Sequence, residues 1–245
     1  MDINIHVLKK LPEKEYTQII PFTEKDDIEQ LGLEANETNY LNKEFNSDKT
    51  RYFPINRYGY WIIPFYIKKD EDPFKFDESC RKAGNDILDF LQKHSIDKVI
   101  LIDRSYNKQI IAAFLEGMIL GSYSFKKYKT EDKDDYQLKE VVVHSQNRDD
   151  QEIQKMTNLS RAVYFCRDLV NEPLSHLNAV KLAESVRNLG EQAGVHVEVF
   201  NKKKIEALKM GGLLAVNKGS IDPPTFTIME WKPKDAVNSK PIILV

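Results

Sequence analysis

Lys98-Val99-Ile100-Leu101-Ile102-Asp103 is the stretch on which the fold turns. Four consecutive apolar residues, three of them β-branched, are too few for a helix of their own. They cannot alternate between core and solvent either, so they read as a strand buried on both faces, the habit of parallel sheets. A helical pattern stands on each side. Upstream, Cys80, Ala83, Ile87 and Leu91 recur at helical spacing, with Asp77 as the expected cap and an end near His94. Downstream, Gln109 to about Gly121 is a mostly apolar helix, followed by a strand over Leu138 to His144 carrying Val141-Val142-Val143. Further out, Ile3, Ile5 and Val7 share one face of a first strand, and a second runs around Thr17 to Pro21. Tyr60 to Ile67, aromatic and β-branched, is the strongest strand signal, although Pro64 points to an edge or a bulge. Strand and helix alternate throughout, which predicts an α/β fold: a mixed or parallel sheet with helices against its faces.

The polar run Ser145-Gln146-Asn147-Arg148-Asp149-Asp150 marks a boundary. It opens a long helical pattern through Ile153, Met156, Leu159, Val163 and Cys166, which ends before Pro173 because the residue ahead of a proline disfavours the α region. The alternation then restarts. A helix is expected from about Asn178 to Ala193, a strand at His196 to Phe200, and a short basic helix from Lys202. Strands are expected at Gly212 to Val216, Thr225 to Trp231 and Ile242 to Val245. Pro241-Ile242-Ile243-Leu244-Val245 resembles a mid-sheet strand, yet no turn, cap or helix follows it. The expectation is an incomplete second domain, since the faces of such a strand need covering helices.

Composition narrows the classes of function. With 36 Lys and Arg against 38 Asp and Glu the net charge is -2, which offers no positive excess for nucleic acid or for an anionic membrane surface. The N-terminal residues alternate polar and apolar and lack the apolar stretch of a signal peptide, and no window approaches a membrane span. A cytoplasmic, soluble protein is expected. Cys80 and Cys166 lie far apart without a CxxC partner and read as two reduced, buried thiols.

Motifs that carry chemistry are missing. There is no HExxH, and His6, His94, His144, His176 and His196 are scattered. Neither GxGxxG nor GxxxxGK[ST] provides a phosphate cradle, and no GxSxG elbow occurs. Glu131 to Asp135 lacks the glycine pivot and twelfth-position glutamate of a calcium loop and reads as a solvated loop. Gly211 is expected to end the preceding helix in the left-handed conformation. Lys202-Lys203-Lys204, unfavourable at a helix start, are expected to be exposed. The residues by themselves nominate no catalytic, substrate-binding or metal-binding group.

Four signatures between Ala162 and Val245 nevertheless resemble the leucyl aminopeptidase family of cytosolic two-metal aminopeptidases, in that family's order and spacing. They are Arg167-Asp168-Leu169-Val170-Asn171-Glu172-Pro173, then Gly194 to Phe200, then Lys209-Met210-Gly211-Gly212-Leu213-Leu214-Ala215-Val216-Asn217-Lys218-Gly219-Ser220 with Pro223-Pro224 and Ile228 to Trp231, and finally Pro241 to Val245. Ser175, Asn217 and Trp231 depart from the residues usual in the family. The resemblance implies a macro-like N-terminal mixed-sheet domain over residues 1–147, a connecting helix over 148–172, and the truncated start of the catalytic domain over 173–245. It implies an N-terminal part of a metallo-aminopeptidase that removes leucine-type N-terminal residues from peptides by two-metal-activated water. It also implies two divalent ions, manganese or zinc, and a homo-hexamer. The family's ligands and catalytic residues would follow Val245, so this chain alone is expected to be inactive and to bind no metal. The alternatives are a macro-like module binding ADP-ribose or another nucleotide, or a domain serving assembly or regulation.

Overall fold

The computed structural model describes residues 3–12, 16–45, 51–104, 108–130, 136–146 and 150–245. Contacts divide the chain into two compact units, Met1–Phe165 and Cys166–Val245. The acidic run 131–135 lies outside the described residues.

In the first unit the strands are β1 (Asn4–Leu8), β2 (Thr17–Phe22), β3 (Ile55–Asn56), β4 (Trp61–Tyr66), β5 (Lys98–Ile102) and β6 (Glu140–His144). They form one sheet in the order β1-β6-β5-β2-β4-β3, parallel except where β3 runs antiparallel to β4. The deciding stretch, β5, sits inside this sheet between β6 and β2. Its side chains feed two cores in alternation. Val99 and Leu101 join Ile19, Phe65, Val141 and Val143 on one face, and Ile100 and Ile102 join Ile20, Phe22 and Val142 on the other. That division is why no residue of β5 is polar after Lys98.

The first face is covered by α2 (Pro73–Lys93) and α3 (Lys108–Gly121), together with Ile153 and Tyr164 from α4 (Asp150–Asn171). The second is covered by Ile28 and Leu31 around a 3-10 turn at Lys25–Gln30, and by Leu41 from α1 (Ala35–Glu44). The turn and α1 gave no periodic signal; the main-chain N–H of Glu24 is held by Asp27 at 2.8 Å and that of Glu34 by Glu37 at 2.9 Å. Helix α2 begins one turn earlier than expected. Asp72, not Asp77, caps it by accepting the Phe74 N–H at 3.0 Å, because Pro73 fixes the first helical position and keeps Asp72 extended. Asp77 lies inside the helix and accepts from Gln109 Nε2 at 2.7 Å. Pro64 stands in the penultimate strand, flanked on its outer side only by two-residue β3 and an isolated bridge. Pro21 is tolerated because β5 pairs with β2 only over Thr17–Ile19.

Helices α2 and α3 cross at two glycines. A Cβ on Gly84 would stand 1.9 Å from the Phe114 carbonyl oxygen, and one on Gly117 would stand 1.9 Å from that of Arg81. Beside this crossing Arg81 Nε donates to Glu116 at 2.7 Å. Cys80 is buried as expected, and burial pushes its thiol up to about 12. Cys166 is exposed, which corrects the expectation of two buried thiols. The buried stripe of α4 is Ile153, Ser160 and Tyr164, with Leu159 facing outward. Among the described residues no helix is long and apolar enough to cross a membrane.

In the second unit the elements are α5 (Ala179–Ala193), β7 (His196–Phe200), α6 (Lys202–Ala207), α7 (Gly211–Asn217) and β8 (Phe226–Glu230). β7 and β8 form an antiparallel pair, His196 opposite Glu230 through Phe200 opposite Phe226. Two expected strands are absent. Gly212 to Val216 is helical, in keeping with the helix preference of Leu213-Leu214-Ala215 once no strand lies beside it. Ile242 to Val245 is exposed and forms no strand, because a strand exists only through pairing and no described strand runs alongside.

Candidate functional site

The residues that carried the family signatures all lie in the second unit. The first signature forms the end of α4, and the chain leaves it through Pro173, whose carbonyl accepts the N–H groups of His176 at 2.8 Å and Leu177 at 2.9 Å. Ser175 is exposed, with its hydroxyl 3.0 Å from His176 Nδ1. Asn178 then caps α5: its Oδ1 accepts the Lys181 N–H at 3.1 Å while its Nδ2 donates to Asp222 Oδ1 at 3.1 Å.

That second bond closes a polar knot. Asn217 Nδ2 donates to the Asp222 carbonyl at 3.0 Å, the Asp222 N–H donates to Ser220 Oγ at 3.2 Å, and Thr225 Oγ1 donates to the Ala179 carbonyl at 3.2 Å. The knot ties the turn after α7 to the start of α5. Asn217, a departure from the family pattern, thereby gains a structural role, because its amide reaches a carbonyl that a glycine or alanine cannot. Apart from Asn178 at the expected start of α5, no sequence pattern announced the knot.

The second and third signatures are joined by α6. Asn201 caps it with Oδ1 accepting the Lys204 N–H at 3.1 Å, which outweighs the three lysines at its start. Those lysines are exposed as expected; Lys204 pairs with Glu198 and lies 4.0 Å over the Phe200 ring. Gly211 does not end α6. Lys209 takes the left-handed conformation (φ 55), and the N–H groups of Lys209 and Met210 return to Glu206 and Ile205. Gly211 is thereby free to begin α7. Gly194 (φ 68) closes α5 in the corresponding way.

Several carboxylates and imidazoles here have structural partners. Glu198 is taken by Lys204, Asp222 by the knot, and His196 faces Glu230 across two strands. Elsewhere His94 packs on Trp61 and Phe90, and His144 ends β6 with its Nδ1 buried and unpartnered. Burial first, then Arg104, holds the His144 imidazole below its ordinary pKa. Among the described residues no three His, Cys, Asp or Glu side chains come together as a metal site. What the second unit does display is exposed apolar surface, including Met229, Trp231 and Ile242 to Val245.

Comparison with known proteins places this scaffold. Residues 164–245 match the profile described as "Cytosol aminopeptidase family, catalytic domain". A probable cytosol aminopeptidase of Sulfurihydrogenibium sp. is 33% identical over 180 residues, 66% of this chain and 36% of that protein. One from Aquifex aeolicus is 32% identical over 169 residues, 67% of this chain and 34% of that protein. Another from Chlorobaculum parvum reaches 63% identity over 68 residues, 28% of this chain and 14% of that protein. The chain thus spans about a third of the length of the first two relatives. In fold, a mutant of tomato leucine aminopeptidase superposes with a TM-score of 0.77 at 17% identity, covering 92% of this chain and 50% of that one. The bottromycin maturation enzyme BotP in complex with Mn superposes at 0.69 with 18% identity, covering 89% and 46%. The resemblance read from the four signatures is therefore borne out: residues 164–245 of this chain match the catalytic domain of the cytosol aminopeptidase family.

Proposed function

We propose that this chain is the N-terminal part of a metallo-aminopeptidase that removes N-terminal, leucine-type residues from peptides. Residues 1–147 are the N-terminal domain, 148–172 the connecting helix and 173–245 the opening of the catalytic domain. The observation that carries this reading is the family match over 164–245, within which four separate signatures keep one order and spacing. The reaction needs two divalent ions, manganese or zinc. BotP, whose fold is similar, is described in complex with Mn. The groups that hold the ions and perform the hydrolysis belong to polypeptide outside these residues, and the complete protein works in the cytoplasm as a homo-hexamer.

Two measurements test this. The coding sequence after Val245 is expected to continue with a Gly-Lys-Gly segment and metal-binding aspartates; an immediate stop codon in the native gene defeats the proposal. The purified 245-residue chain is expected to leave leucine p-nitroanilide intact in the presence of manganese or zinc. Sustained turnover by that chain, surviving repurification, would overturn the placement of the active site.

A further inference from the structure

We draw no further inference here: the strongest candidate, the exposed apolar surface of the second unit at Phe226, Ile228 and Met229 on β8, carries nothing because nothing in the structure shows what covers it.

Discussion

Gly84 and Gly117 hold the two main helices of the first unit closer than any side chain allows. With a Cβ on Gly84 only 1.9 Å from the Phe114 carbonyl oxygen, the backbones themselves must separate to admit alanine. Alanine would otherwise be the better helix former by about 1 kcal/mol, so propensity and packing oppose each other, and packing should win. Gly84→Ala is expected to destabilise the first unit by about 1–3 kcal/mol, read as a lowered urea midpoint; an unchanged or raised midpoint would show that the helices are free to part. Nothing in the sequence distinguished these glycines from others, because the meaning of a helical glycine lies in the helix opposite. The same holds at Lys209 and Ser95. Both take the left-handed conformation that the glycine rule would have assigned to a neighbour or to no residue at all. Rules that name a preferred residue type locate such positions only when the preferred residue is there.

At the scale of elements, legibility followed burial. β5 and β6 were evident because cores press on both their faces, and α2 and α3 because one apolar face of each packs into the first core; their apolar spacing is set by the elements they touch. The 3-10 turn and α1 were not, since each contributes only a few buried residues among charged ones. Gly212 to Val216 failed for a different reason. A short apolar run is compatible with strand or helix, and the choice belongs to the neighbours. The candidate scaffold around α5 shows how much a single capping residue can organise. Asn178 both caps the helix and, through Nδ2, anchors Asp222. Asn178→Ala removes both bonds and is expected to cost about 1–2 kcal/mol, whereas Asn178→Ser restores the cap and should recover only part of it. Thermal unfolding followed by circular dichroism resolves the three proteins. Full recovery by serine would mean that the bond to Asp222 contributes nothing.

At the scale of the whole molecule, the titrating groups define a pH range in which the fold is most stable. Glu37 lies below its ordinary carboxyl value, chiefly through its hydrogen bond with Arg57, and Asp97 does so through Lys139. The unfolded chain therefore takes up protons at these two groups before the folded one does. The stability they contribute is present above the ordinary carboxyl range and is lost as pH falls through it. His144 is also lowered, first by burial, so its ring stays neutral in the fold while the unfolded ring protonates near 6.5; this contribution disappears on acidification through that value. At the alkaline end the sign reverses. Burial raises Tyr136, and raises Cys80 from 9.0 to about 12, so their contributions hold at neutral pH and fall away once the unfolded groups ionise. Urea midpoints across the pH scale are expected to show a plateau bounded by a step near 6.5 on the acid side and by the onset of thiol ionisation near 9 on the other, with a further fall in the carboxyl range. His144→Gln should remove the step near 6.5 and leave the carboxyl fall in place, since only the imidazole titrates there. A step that persists in this variant would assign it to another group and leave the buried, unpartnered Nδ1 without thermodynamic consequence.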